Sequence, residues 1–253
     1  MADSGSAEDA HEKSRENATT ILFDDRASQP RNGLVLVYDL EGFSHFFIQP
    51  DVQEYVPKFI NHVSQAVATC IYGGDTYWYP VREERKCDPL VPLPIHEKYL
   101  GDGAMYIWLG TEKNPITKLL VGALCNRCWN LKNGFPSVLR AASDFAPVVD
   151  IPQRIRFGIA RGTIYELKRR NSTDREYIGF CINLATRLQK YCPELGFIAS
   201  GRVGLPQAAL EEYGYIRVVT TQLKGLTREI VIVDKDEWAA LGPTLRETLF
   251  EAV

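Results

Sequence analysis

A chain of 253 residues can bury a substantial core in one large domain or two small ones. Its formal charge of −3 offers no broad basic surface, which excludes a nucleic-acid polymer as partner but leaves room for a single nucleotide held by a few well-placed cations. No run reaches the length of an apolar membrane span, and the N-terminus lacks the apolar segment of a secretory signal, so no membrane partner and a cytoplasmic location are expected.

Residues 1–30 are polar and charged and read as a flexible leader, with the folded domain expected over 31–253. The apolar run at 34–38 predicts a first strand, which ends at Asp39. Val56, Phe59, Ile60, Val63, Val67 and Ile71 recur at helical spacing and predict a helix over about 52–72, closed by Gly73-Gly74. Residues 75–95 read as an inserted segment: Thr76-Tyr77-Trp78-Tyr79 is strand-like, 82–86 is charged, and Pro89, Pro92 and Pro94 keep the remainder irregular. A hairpin comes next, with arms at 96–100 and 104–109 around Gly101-Asp102-Gly103.

A long helix is expected over about 115–132, then a loop containing Gly134 and Pro136. Strands are expected at 154–160 and 162–167, the second running into the basic cluster Lys168-Arg169-Arg170. A helix at 180–191, a strand at 196–200, a helix at 205–213, strands at 215–220 and 229–233 and a short final helix complete the chain. The order β-α-β-β-α-β with appended elements predicts an α+β, ferredoxin-like domain. The six cysteines (70, 87, 125, 128, 181 and 192) lie in ordinary apolar segments, the pattern of reduced thiols. Cys125 and Cys128 form a CxxC, but on one face of a helix, without the second CxxC or His pair a metal site needs.

Asp39 and Asp102 each sit at a strand end, and in this topology the first strand lies beside the hairpin, so the two carboxylates meet at one sheet edge. Carboxylates that close repel unless cations lie between them, and hard oxygen ligands suit Mg²⁺ or Mn²⁺ shared with substrate phosphates. The bland readings are a helix N-cap for Asp39 and a turn residue for Asp102. Phe43, Phe46 and Phe47 read as core or dimer packing.

Four segments in this order resemble the class III nucleotide cyclases, the adenylate and guanylate cyclase catalytic domains, over roughly residues 34–233. They are Val37-Tyr38-Asp39-Leu40-Glu41-Gly42-Phe43-Ser44, Lys98-Tyr99-Leu100-Gly101-Asp102-Gly103-Ala104-Met105, Arg156-Phe157-Gly158-Ile159-Ala160-Arg161-Gly162, and the stretch from Tyr177 to Leu188. Gln222-Leu223-Lys224-Gly225-Leu226 is similar to a fifth, the turn before the last strand. The resemblance implies a nucleoside triphosphate substrate, cyclised by attack of the ribose 3′-hydroxyl on the α-phosphorus with loss of pyrophosphate. It implies two ions, Mg²⁺ or Mn²⁺, held by Asp39, Asp102 and the carbonyl of Leu40. Asn183 would orient the ribose and Arg187 would stabilise phosphate charge. Asn183 and Arg187 come from the opposite subunit in the family, so a head-to-tail homodimer is implied. Their i, i+4 spacing puts them on one helix face, and an amide inside so apolar a helix is expected to be buried and to need partners.

In the family, the positions of Lys98 and Glu176 read the base; here they speak against guanine, and they can also simply pair as a surface salt bridge. Arg161 lies two positions before a phosphate-binding arginine of the family, where Thr163 stands, and Leu226 occupies the place of a triphosphate-binding lysine. That leaves Arg161, Lys224 or the Lys168–Arg170 cluster for the phosphates. A stand-alone domain with Gly42-Phe43-Ser44-His45-Phe46 after the first aspartate resembles the bacterial pyrimidine cyclases of Pycsar antiphage defence. That resemblance implies UTP, then CTP, as substrate, and a cyclic monophosphate read by a separate effector. An adenylate cyclase is the alternative within the class, and a nucleotide-binding cyclase-homology module without catalysis is the alternative outside it. A diguanylate cyclase or palm-type polymerase is disfavoured, because neither carries an Asn-x-x-x-Arg helix after the core.

Overall fold

The computed structural model of the chain describes residues 28–73, 91–146, 150–168, 173 and 175–251. Most of the expected leader (1–27), the strand-like and charged parts of the 75–95 insertion (to residue 90), Cys87, Arg169 and Arg170 lie outside the described residues.

The centre of the fold is β1 (Arg31–Glu41), flanked antiparallel by β3 (Ala104–Leu109) and by β4 (Arg154–Lys168). β2 (His96–Tyr99) forms the hairpin with β3. The order β2-β3-β1-β4 is that of the expected ferredoxin-like α+β core. Beyond β4, the parallel strand β6 (Phe197–Ser200), then β8 (Ile230–Asp234), β7 (Tyr215–Thr220) and β9 (Phe250–Glu251) extend the sheet. β5 (Arg175–Ile178) pairs with the far end of β4.

Side-chain alternation along β1 divides the interior in two. Leu34, Leu36, Tyr38 and Leu40 pack under α2 (Val56–Gly73) and α3 (Lys118–Ser143), while Val35 and Val37 face α4 (Phe180–Tyr191). Both faces are therefore covered. α4 approaches so closely that a Cβ on Gly158 of β4 would overlap the carbonyl of Ala185, and one on Gly162 would press on Cys181.

Several elements differ from expectation. The strands expected at 154–160 and 162–167 are one, because β1 pairs with β4 without interruption from Glu41–Arg154 to Arg31–Ile164, with Gly33 opposite Gly162. α3 starts at Lys118, where the Thr117 hydroxyl accepts from the Leu120 amide at 3.1 Å. It does not stop at residue 132: buried Phe135, Val138, Leu139 and Ala142 continue its apolar stripe, and their burial offsets the hydrogen bond lost at Pro136. A short helix, α1 (Phe43–Phe47), comes directly after β1. Phe46 is buried against Phe59, whereas Phe47 is exposed. After α5 (Gln207–Tyr213) and the strands β7 and β8, two helices end the chain instead of one, α6 (Lys235–Ala240) and α7 (Pro243–Leu249), the first capped by Asp234. Cys125 and Cys128 are buried in the core, and burial pushes the Cys125 thiol up to about 12. That agrees with inert packing.

Gly158→Ala is expected to destabilise the chain by about 1–3 kcal/mol through overpacking against the α4 backbone. The control is Gly242→Ala, at a position with open space around it and an ordinary φ of −56°, which should not move the urea midpoint.

Candidate active site

Asp39 lies on the α4 face of β1, next after the buried core residue Tyr38. The β2–β3 turn is pressed onto this point: a Cβ on Gly103 would overlap the Tyr38 carbonyl, and Tyr38 pairs with Ala104. Asp102, one residue before that contact, is thereby brought to the same edge as Asp39. The coupling is electrostatic as well. Burial first, and then the Asp39 charge, hold the Asp102 carboxyl above its usual value, while Lys190 and Arg156 pull it down.

Two cations attend Asp39. Arg156, directly across the β1–β4 ladder, forms an ion pair with its Oδ2, and Lys190 at the C-terminal end of α4 lies 4.0 Å from its Oδ1. The guanidinium Nε of Arg156 is buried without a partner among the described residues. Neither residue was assigned a role from sequence. Lys190 had a readable signal, since it falls three after Arg187 and seven after Asn183, on the same helix face. The pairing of Arg156 with Asp39 depends on strand register, which the local sequence does not reveal.

Asn183, Arg187 and Lys224 share one cavity of ≈ 580 Å³ with Lys190, Tyr191 and Gln222. Asn183 is exposed rather than buried, because the apolar stripe of α4 (Cys181, Leu184, Ala185, Leu188) turns to the sheet and leaves the amide on the outer face. Lys98 and Glu176 form an ion pair of 2.7 Å with side chains 44% and 31% exposed, as the salt-bridge reading expected, and both line a second cavity of ≈ 430 Å³. Pairing and base reading are compatible, since both groups keep hydrogen-bonding capacity.

Arg161 is not brought to either cavity: its Nε donates to the Asn32 side chain at 3.1 Å, and Gly162, not Arg161, faces α4. Leu40 is buried in the core as a side chain. Lys168 is exposed at the end of β4.

Among the described residues no group of three or more His, Cys, Asp or Glu side chains forms a ready-made cage for a metal ion. Two carboxylates at one edge, one of them carrying a pKa raised by burial and by the other's charge, nevertheless fit a divalent cation with further coordination positions left open. Also among the described residues, no helix is long and apolar enough to cross a membrane.

The sequence matches no family model and no curated protein. The fold, in contrast, is shared with solved cyclase domains. The adenylyl cyclase CyaB from P. aeruginosa is 16% identical with a TM-score of 0.56, covering 81% of this chain and 94% of that one. The guanylyl cyclase Cya2 is 19% identical with a TM-score of 0.53, covering 82% and 93%. A bacterial light-regulated adenylyl cyclase is 16% identical with a TM-score of 0.54, covering 83% and 92%. The chain has the cyclase catalytic-domain fold over most of its length.

The sign of the Asp102 shift gives a stability test. A carboxyl whose folded pKa lies above its ordinary 3.8 favours the folded chain only below that value, and the contribution is lost as pH rises through the raised one. Asp102→Asn is therefore expected to raise Tm at pH 7 by roughly 1–3 °C. Mn²⁺ is expected to raise the Tm of the wild-type chain and to leave that of Asp102→Asn unchanged, which differential scanning calorimetry reads directly.

Proposed function

We propose that this protein is a class III nucleotide cyclase that converts a pyrimidine nucleoside triphosphate, UTP ahead of CTP, to the 3′,5′-cyclic monophosphate and pyrophosphate. The observation that carries the reading is the meeting of Asp39 and Asp102 at one sheet edge, with Asn183, Arg187 and Lys224 gathered in one cavity of the same fold. Phosphoryl transfer of this kind is mostly positioning and charge stabilisation, which is what such a residue set offers.

In this reading Asp39, Asp102 and the carbonyl of Leu40 hold two Mg²⁺ or Mn²⁺ ions. When bound, these lower the pKa of the 3′-hydroxyl and neutralise phosphate charge. Asn183 orients the ribose by its amide. Arg187 offers a planar fork of donors to the phosphate oxygens as charge shifts to the pyrophosphate. Lys224 and Lys190, on the same cavity wall, add compact positive charge for the leaving group.

In this reading the active protein is a head-to-tail homodimer, as the resemblance of the helix carrying Asn183 and Arg187 to the family's catalytic helix implies. A two-fold pair brings each set against the partner's complement. The product would act as a second messenger in antiphage defence, read by a separate effector. That part rests on the resemblance of the Gly-Phe-Ser-His-Phe segment. The Lys98–Glu176 ion pair also suits a ring acceptor and an exocyclic amine, so ATP is the competing substrate.

The deciding experiment incubates the purified protein with Mn²⁺ and each of ATP, GTP, CTP and UTP, with product analysis at the end. Cyclic UMP or cyclic CMP, lost at least a hundredfold in Asp102→Ala, is the expected result. Cyclic AMP alone would overturn the pyrimidine reading, and no cyclic product from any triphosphate would favour a module kept for binding. The dimer has its own test: mixing inactive Asp39→Ala with inactive Arg187→Ala is expected to restore about a quarter of wild-type activity, because half the dimers are mixed and each mixed dimer keeps one intact site. An active monomer would overturn the composite site.

A further inference from the structure

We propose that the chain carries a second anion site, apart from the cavities described above, in which Arg202, Arg217 and Arg228 bind a phosphate-bearing small molecule. The inference goes beyond the cyclase reading and does not depend on it.

A third cavity, ≈ 660 Å³ in volume, is lined by Gly201, Arg202, Arg217, Arg228, Glu229 and Ile230, and it shares no residue with the other two. Three guanidinium groups against one carboxylate leave its wall with a formal charge of +2, in a chain whose total is −3. The carboxylate is already committed. Glu229 is buried, and its Oε1 accepts from the Ser200 hydroxyl and from Nε of Arg202, both at 2.9 Å, while Oε2 accepts from Nη2 of Arg202 at 3.1 Å. It acts as a post that holds the Arg202 fork in one orientation. Arg217 is tied without losing its charge: Nη2 donates to the Leu205 carbonyl at 2.6 Å and Nη1 to the Gln207 side chain at 3.3 Å, both neutral acceptors. Arg228, with a side chain 67% exposed, places one Nη2 at 2.9 Å from Glu251.

Guanidinium groups anchored in advance bind phosphate with little further loss of side-chain freedom, and their planar forks match pairs of phosphate oxygens. Each arginine has five N–H donors; the contacts above use two on Arg202, two on Arg217 and one on Arg228, so most remain for a ligand. Surplus positive charge on the wall favours a diphosphate or triphosphate over a singly charged ion. The rest of the wall is apolar. Ile230, half exposed, packs on Gly201, where a Cβ would lie 3.0 Å from its Cγ2. That surface suits the organic part of a phosphorylated metabolite. The site also bears on α4. Arg202 Cζ lies 5.2 Å from the ring centroid of Phe180, the first residue of the helix that carries Asn183 and Arg187. A ligand that engages Arg202 therefore changes what Phe180 packs against.

The test is calorimetric titration of the full chain with pyrophosphate and with uridine diphosphate, in excess chelator so that no divalent ion sits at the aspartate edge. The Arg187→Ala/Lys224→Ala double variant serves as background and silences the other phosphate-binding cavity. This background is expected to bind at least one of the two probes, and adding Arg217→Ala and Arg228→Ala to weaken that binding on the order of tenfold. Tighter binding of pyrophosphate assigns the site to phosphate alone, and tighter binding of the nucleotide adds the contact with Ile230. If the added substitutions unfold the chain, 4-fluorophenylalanine labelling of the background decides the matter: the Phe180 resonance, identified by its absence from Phe180→Leu, should shift as either probe is added. Binding of neither probe, equal binding with and without Arg217 and Arg228, or an unmoved Phe180 resonance would each overturn the proposal. So would a stronger response to an oligoglutamate peptide, which would make the patch a protein-docking surface. Product formation reports separately. A chain that binds the probe here yet cyclises nothing keeps this inference and removes the enzyme, and one that cyclises a triphosphate without binding here does the reverse.

Discussion

The arrangement depends on a contact between backbones. Gly158 has no side chain, so α4 settles onto β4 with the Ala185 carbonyl in the space a Cβ would fill. That depth fixes everything α4 carries. Its inner stripe completes the core under Val35 and Val37, its last turn delivers Lys190 to within 4.0 Å of Asp39, and its outer face opens the cavity that holds Asn183 and Arg187. A helix raised by one methyl group would keep its amphipathic pattern and lose this alignment, since interiors packed to near-crystalline density transmit such displacements.

Charge is organised around the same point. Asp39 and Asp102 destabilise one another, and the chain offsets part of that cost with its own cations, Arg156 across the ladder and Lys190 from α4. Removing either carboxylate relieves repulsion. Removing either cation leaves a half-buried carboxylate with less compensation. The edge is a place where local stability is lower than the surrounding sheet could provide, which is the usual condition of a site built to receive something.

Much of the fold was legible in the sequence, for physical reasons. The spacing of Val56, Phe59, Val63 and Val67 and the apolar run at 34–38 are short-range signals, and both elements formed, the strand longer, at 31–41, and the helix starting later, at 56. The failures share a cause too. Gly162 and Pro136 look like breaks to a local reading, but the β1 ladder holds the first in register and the buried stripe of Phe135, Val138 and Leu139 carries the helix past the second. Asn183 was expected to be buried because its neighbours in sequence are apolar, whereas only helix phase decides which way it faces. At the site, the pairs Asp39 with Asp102 and Lys98 with Glu176 came from motifs. Arg156 did not, because its pairing with Asp39 comes from cross-strand register, which no spacing encodes.

β5 leaves the main sheet and pairs with β4 at Tyr165 through Lys168, past the last residue that β1 reaches. The result is a two-stranded ribbon projecting from the sheet, with Tyr165 and Ile178 opposite each other and exposed at 41% and 51%. Glu176 rides on this ribbon, while Lys98 is anchored in the β2–β3 hairpin at the other side of the cavity. Tyr165 and Ile178 stand at the root of this ribbon, next to the last residue that β1 pairs, while Lys168 and Arg175 form its outer end. The Lys98–Glu176 ion pair therefore ties the outer half of the ribbon back to the β2–β3 hairpin, joining two strand pairs that share no backbone ladder.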